Sequence, residues 1–204
     1  MNRRFPRVQA ALLSIVAGLA DAVGFLTMGG IFAANMTGNT VLAGIALAER
    51  HWELAGQRFL PLIAFFLGAM LARLLLRLSH RPWVPLLLEA ALLAGVGFLP
   101  LGRETELMFA ALAMGLQASA ITHFGGAAVS TVVVTGTIAR IADAVLDRLW
   151  PAEKRALPAV ATPGLLALTW AGYFAGALAG ALLIKVTALP LLVPAALLVV
   201  AMFL

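Results

Sequence analysis

Long apolar runs separated by short polar breaks make up nearly the whole chain. An α-helix needs about 20 mostly apolar residues to cross a hydrocarbon core of about 30 Å. Helices also satisfy their own backbone hydrogen bonds in lipid. The pattern therefore predicts an all-α polytopic membrane protein, a single transmembrane domain over residues 1–204, with eight hydrophobic segments: Ala10–Met28, Ile31–Ala48, Phe59–Leu76, Trp83–Pro100, Leu107–Phe124, Val129–Leu146, Pro163–Ile184 and Leu189–Leu204.

The composition strengthens this prediction. Apolar residues make up 63% of the chain and charged residues 11%, against about 45–50% and 25% in soluble domains. A water-soluble globule is therefore excluded. The chain has no cysteine, which excludes disulfides and thiolate metal sites. Arginines precede the first apolar run, which we expect to be a retained anchor because Asp21 interrupts the apolar region of any signal peptide.

Short sequence motifs recur in the same order in the two halves of the chain. After these motifs, Phe65–Ala69 in the first half aligns with Tyr173–Ala177 in the second. We therefore predict two homologous repeats, over about residues 8–100 and 107–204. The recurring motifs are Gly18-Leu19, Asp21, Gly29-Gly30 and Thr37-Gly38-Asn39 in the first half, and Gly115-Leu116, Gln117, Gly125-Gly126 and Thr135-Gly136-Thr137 in the second.

The number of membrane crossings is left open between six and eight. Both arrangements place ten of the 14 basic residues on the side of the N-terminus, which the positive-inside rule makes cytoplasmic. Six crossings are slightly favoured, because the loop around Arg73–Arg81 then faces the cytoplasm with three bases and no acid. Six crossings also make the two halves inverted repeats, a common plan of transporters.

Polar residues lie at matching positions within the apolar runs. Asp21 is eight residues before Gly29, and Asn39 is nine after Gly30, so a hairpin folded at the glycines places both about 12–14 Å from the turn. Gln117 and Thr135 repeat this spacing in the second half. Gathered at one depth, these side chains would form a central solute or ion site. For the neutral ones, interhelical hydrogen bonding is the alternative.

Helix breaks are expected near Gly29–Asn39 and Gly125–Thr137, because glycine, threonine and asparagine are poor helix formers. In each half a threonine or asparagine would cap the next helix: Thr37 or Asn39 in the first, Thr135 or Thr137 in the second. The N-terminus of such a half-helix suits an anion, whereas unwound carbonyls suit a cation. The candidate binding residues are Asp21, Asn35, Thr37, Gly38, Asn39, Gln117, Thr135, Gly136 and Thr137.

Two acids inside apolar runs are candidates for coupling transport to protons or cations: Asp21 and Glu89. The alternative for Asp21 is a salt bridge to Arg73 or another base. Glu89 would instead pair with Arg81 or Arg77 near the membrane interface.

Small residues recur four apart as a smooth groove for helix packing at Gly172, Gly176 and Gly180, with Gly68 at the matching place in the first half. Packing within the bundle is the favoured interpretation. A homodimer face is the alternative.

Enzyme chemistry is not expected. His51 and His80 lie in loops at opposite ends of a segment and His123 has no obvious second ligand, so no metal site is expected. There is also no Gly-Lys-Ser/Thr motif for phosphate. We therefore expect no catalytic residues, no cofactor and no nucleic-acid partner. The expected partners are membrane lipid and a small solute.

The motifs resemble one known family. Asp21, Gly24-Phe25, Gly29-Gly30, Phe32, Asn35–Asn39, Gly115–Ala118 and Thr135–Thr137 are similar to the YoaK-like family of bacterial inner-membrane proteins. The resemblance spans nearly the whole chain. It implies a small permease-like protein of unknown function and supplies neither substrate nor site residues.

The prediction is therefore a secondary transporter of a small polar or anionic solute in the bacterial inner membrane, with a cytoplasmic N-terminus and a central site between two repeats. A channel with the same polar centre is the first alternative. A membrane assembly factor that transports nothing is the second.

Overall fold

The computed structural model describes residues 5–99, 101–121, 123–124, 127–132, 135–149 and 162–204. About four fifths of these residues are helical, which confirms the all-α polytopic fold class. The elements are α1 (Pro6–Thr27), α2 (Met36–Ala48), α3 (Trp52–Ser79), α4 (Trp83–Phe98), α5 (Arg103–Ala120), α6 (Thr135–Leu149), α7 (Pro163–Leu183) and α8 (Leu192–Met202), with two-residue strands β1 (His123–Phe124) and β2 (Ala127–Ala128) between α5 and α6.

Three helices, α1, α3 and α7, are long and apolar enough to cross a membrane, while α2, α4 and α8 are apolar but shorter. α3 begins at Trp52, earlier than the predicted Phe59, since polar residues of its first turns are compatible with an exposed helix end. α2 begins at Met36 rather than Ile31, and α6 begins at Thr135 rather than Val129. Each predicted segment contains a helix, and the two that follow the glycine pairs start late.

Two helix pairs are packed most closely, α1 with α7 and α3 with α5, and glycine makes both contacts. A Cβ added to Gly176 would collide with the carbonyl of Ile15 in α1, and one added to Gly68 with the carbonyl of Leu112 in α5. Such contacts require that the backbones approach without side chains between them. The glycine stripe of α7 is thus covered inside the bundle.

The two close pairs are equivalent in the alignment of the halves. Gly18 of α1 lies against the carbonyl of Tyr173, and the aligned Gly115 of α5 lies against the carbonyl of the aligned residue, Phe65. In the same way α2 packs on α3, and α6 packs on α7. The first helix of each half thus packs against the long helix of the other half: α1 against α7, and α5 against α3. This exchange supports the repeat, which stays a prediction.

The helix ends sort to two ends of the bundle. A buried cluster beside the Gly29-Gly30 turn combines the C-terminal parts of α1, α4 and α7 with the beginning of α5 and Leu191, just before α8. The first turns of α3 and α5 are also joined, because Gln57 donates to Glu104 over 3.1 Å. At the opposite end, Gln9 of α1 donates to the carbonyl of Ala201 in α8. Successive helices among α1, α3, α4, α5, α7 and α8 therefore run in opposite directions. Six alternating helices favour six membrane crossings over eight.

We expect Gly176→Ala and Gly68→Ala each to lower the free energy of unfolding by about 1–3 kcal/mol, because each Cβ would force two backbones apart. Gly44→Ala is the matched control, since no atom of another described element lies within 4 Å of its added Cβ. Denaturant titration of the purified protein in detergent measures all three. Equal stability of Gly176→Ala and Gly44→Ala would contradict this packing.

Candidate functional site

The first helix break is an unwound segment over residues 28–35, between α1 and α2. Gly29 (φ 88°) and Gly30 (φ 72°) adopt the left-handed conformation, which costs glycine little and other residues more. The chain reverses there and returns alongside α1 as far as Asp21, about 9 Å from the end of that helix. α2 therefore starts within the bundle and not at its edge.

Asp21 is the residue that holds this segment. Its side chain is buried, with 3% of its surface exposed. Oδ1 accepts hydrogen bonds from the backbone N–H of Ala34 (2.6 Å) and of Asn35 (3.1 Å), and Oδ2 accepts one from the hydroxyl of Tyr173 in α7. One carboxyl thus joins α1, the unwound segment and the second half of the chain. The alternative of a salt bridge to Arg73 is wrong, because no base among the described residues forms an ion pair with Asp21.

Asn39 and Asn35 fix the two ends of the same turn. Asn39 is fully buried, its Oδ1 accepts from the N–H of Phe32 (2.9 Å), and its Nδ2 donates to the carbonyl of Phe32 (2.8 Å). The side chain of Asn35 caps α2 by accepting from the N–H of Gly38 (3.1 Å). The expected caps, Thr37 and Asn39, are wrong, because the helix begins before them; Thr37 is exposed.

Close packing explains why glycine stands at position 38 of the Asn35–Asn39 motif. A Cβ at Gly38 would lie only 2.9 Å from the ring of Phe32. That ring stacks on Phe25 of α1 at 4.8 Å between centroids. Glycine at this position therefore allows the unwound segment to pack against both α1 and the first turn of α2.

In the second half, Gln117 takes a comparable part. Its side chain is fully buried, and Nε2 donates to the carbonyl of Leu13 (2.9 Å) and to the hydroxyl of Thr131 (3.1 Å). Thr131 corresponds to Ala34 by the same offset that relates Gly115 to Gly18. In both halves a polar side chain of the first helix thus binds the chain between the break and the next helix.

The other predicted residues of the second half are only partly described. α6 begins at Thr135, so Thr135 and Thr137 lie in its first turn and are not its caps, contrary to expectation. Thr137 is buried and Gly136 is exposed. The Gly125-Gly126 pair and the side chain of Thr135 lie outside the described residues.

The polar group around Asp21 and the polar group around Gln117 lie at different positions along the axis of α1. Gln117 contacts α1 at Leu13, which is eight residues from Asp21 and therefore about 12 Å away along the helix axis. The expected convergence of Asp21, Asn39 and Gln117 at one depth is thus not found. Instead the two groups lie at separate levels along α1.

Glu89 of α4 forms neither of its expected ion pairs. It is fully buried, and neither carboxyl oxygen has a hydrogen-bond partner in the part of the chain that is described. Arg81 instead lies over the ring of Trp83, 5.9 Å from its centroid. Gln117 Oε1 is buried without a partner in the same sense. Buried polar atoms of this kind are rare and costly, so both remain functional candidates.

Two residues of these networks are absent from the predicted site, Tyr173 and Thr131. Tyr173 is the only tyrosine of the chain, and it aligns with Phe65, so a hydroxyl stands where the first half has none. That difference between aligned aromatic residues is a signal in the sequence. Thr131 carries no comparable signal, because threonine is common in apolar helices.

Comparisons with known proteins agree with the membrane fold. The chain is 31% identical over 151 residues to the UPF0700 transmembrane protein YoaK of Bacillus subtilis (strain 168), an alignment that covers 69% of this chain and 67% of the relative. It is 31% identical over 177 residues to the UPF0700 transmembrane protein RA0705 of Rhizobium meliloti (strain 1021), covering 86% and 74%. No solved structure matches.

The relatives' names and the apolar helices together establish a membrane protein. A family described as a protein of unknown function, DUF1275, matches residues 9–204, nearly the whole chain, as the resemblance to YoaK-like proteins implied. The chain belongs to this DUF1275 family.

Proposed function

We propose that the protein is a secondary transporter of a small anionic solute, built from two repeats in the bacterial inner membrane with its N-terminus in the cytoplasm. The observation that supports this most is the buried carboxyl of Asp21, which binds the backbone of an unwound segment inside the bundle. Broken helices near the middle of the membrane are the usual binding elements of transporters. Ionisable groups at such positions are costly and mostly functional.

The N–H groups that Asp21 binds could bind a solute anion in its place. The N–H groups of Ala34 and Asn35 stand directly before the N-terminus of α2, where the helix dipole favours negative charge. In this state the carboxylate of Asp21 occupies that place. A proton added to Asp21 removes its charge and weakens it as an acceptor, so a solute carboxylate or inorganic anion replaces it on the two N–H groups. Proton and anion then move together.

Tyr173 extends this exchange to the second half. Its hydroxyl donates to Oδ2 of Asp21, so a proton on Oδ2 turns that acceptor into a donor and breaks or reverses the bond. α7 packs on α1 along a glycine stripe, and the hydrogen bond from Tyr173 to Asp21 is a side-chain link between these two helices. Protonation of Asp21 is therefore expected to loosen the contact between the halves, as alternating access requires.

A non-transporting membrane assembly factor is the second candidate, and one observation favours it. Both oxygens of Asp21, and both the oxygen and the nitrogen of Asn39, are bonded within the protein. These residues then serve only to hold the unwound segment. Flux measurements distinguish the candidates, because only a transporter couples a proton to a solute.

We expect Asp21→Asn to abolish proton-coupled flux while the protein still folds, because the amide keeps the acceptor for Ala34 and Asn35 but cannot be protonated. Proteoliposomes with a pH dye inside are given gradients of chloride, sulfate or nitrate. Dye acidification that depends on one anion is the readout. Asp143→Asn, which changes an exposed acid of α6, is the control. Anion-dependent acidification that survives Asp21→Asn would overturn the role of Asp21, and its absence in wild type with every anion would favour the assembly factor.

We expect Tyr173→Phe to cost about 1.5–3 kcal/mol of unfolding free energy, as for a hydrogen bond to a charged group. The ring fits, since Phe65 occupies the aligned position against Gly115. The same substitution made in an Asp21→Ala background should cost little, because its partner is already gone. Denaturant titrations of the four proteins of this cycle give the coupling. Equal costs in the two backgrounds would show that the bond contributes nothing.

A further inference from the structure

A cavity of about 630 Å³ lies between α3 and α5, at the end of the bundle that carries the Gly29-Gly30 turn. Its volume is within the range of about 300–1,000 Å³ that is typical of ligand sites. α3 and α5 are in contact further along, where Gly68 meets Leu112, and Leu112 also lines the cavity. The cavity is thus the wedge that opens where the two helices separate.

The polar residues of this wedge all lie at its mouth, in the first turns of the two helices. Gln57 of α3 stands there with Arg103, Glu104 and Thr105 of α5, and it donates to Glu104 over 3.1 Å. The deeper walls are apolar. Three of their residues also face outward, since Leu60, Ile63 and Leu67 are 47%, 44% and 51% exposed. The wedge therefore opens sideways, toward the hydrocarbon of a membrane.

The matching wedge between α1 and α7 is closed by smaller residues. There Gly172 lies against Ala11, with the carbonyl of Ala11 only 3.0 Å from an added Cβ. The aligned residues on the open side are Ala64 and Met108, and both line the cavity. An extra methyl in α3 and a long side chain in α5 keep these helices apart. The cavity is thus a specific difference between two otherwise equivalent contacts.

We infer that this cavity binds one phospholipid molecule with a zwitterionic head group that carries a primary ammonium. An acyl chain enters from the bilayer and fills the apolar wedge, because an empty wedge forfeits the dispersion contacts of its walls. The guanidinium of Arg103 binds the lipid phosphate through paired N–H donors. The ammonium binds the carboxylate of Glu104, which shares the mouth of the cavity.

The charges at the mouth decide which head group fits. Glu104 and Glu106 both lie in the first turn of α5 beside Arg103, so the local net charge is negative. An anionic lipid would place its extra charge next to two carboxylates. A choline head group carries no N–H to donate to Glu104. Phosphatidylethanolamine satisfies both Arg103 and Glu104, and this preference does not depend on transport.

The bound lipid would also support the unwound segment. Met28, Gly29 and Ile31 form one wall of the cavity, so an acyl chain there packs against the turn that leads back to Asp21. Removal of the lipid is expected to loosen this turn before it affects the helix pairs.

Native mass spectrometry of the full-length protein in mild detergent tests this inference. Equal amounts of phosphatidylethanolamine, phosphatidylglycerol and phosphatidylcholine are added, and retained lipid is counted. We expect one phosphatidylethanolamine per chain, retained about tenfold less by Arg103→Gln, since the charge-assisted contact with the lipid phosphate is lost. Arg77→Gln, at an exposed arginine in the last turn of α3, is the matched control and should bind normally.

A second pair of measurements guards against a variant that fails to fold. Ala64→Leu fills the wedge from a buried position and should lower retention, while a photoactivatable phosphatidylethanolamine should label Ile63 or Met108 in the unaltered protein. Equal retention by Arg103→Gln and Arg77→Gln, preference for phosphatidylglycerol, or labelling confined to other helices would each overturn the inference.

Discussion

Backbone groups inside a membrane have no water to bond, and this constraint governs the centre of the protein. The chain interrupts its first hairpin at the Gly29-Gly30 turn, yet the donors that the interruption exposes find partners. Asp21 accepts from Ala34 and Asn35, and Asn39 accepts from Phe32. These bonds are made by side chains and not by a helix, so a few residues hold the segment in place. α2 can start inside the bundle because these side chains bond the backbone N–H groups that precede it.

The sequence was informative where the signal is local. Apolar runs located the helices, and the poor helix formers of Gly29–Asn39 located the break. The sequence misplaces the cap of α2, because several capping residues stand in a row and only the backbone path selects Asn35. The bond between Asp21 and Tyr173 joins residues 152 positions apart, and no local pattern predicts such a pairing. The level of Gln117 likewise depends on how α5 crosses α1.

The two halves are alike in their contacts and different in their chemistry. The aligned glycines make the same backbone contacts, but Asp21 and Tyr173 join the halves near one break and Gln117 with Thr131 acts near the other. A carboxyl on one side and an amide on the other give the two breaks unequal charge. The α3 and α5 pair is also opened by Ala64 and Met108, whereas its counterpart is closed. The shared glycine contacts determine how the helices pack, whereas the different polar residues give the two helix breaks different chemistry.

The exchange of helices between halves sets an order for biogenesis. α3 and α5 are neighbours in synthesis and can pair early, once the chain has emerged as far as residue 120. α1 is made first, but its partner α7 is among the last segments to leave the ribosome. Until then Gly18 faces lipid and the Asp21 carboxyl lacks its tyrosine. The first helix inserted is thus among the last to dock, and a chain truncated before α7 would leave the Asp21 carboxyl without its hydrogen bond from Tyr173.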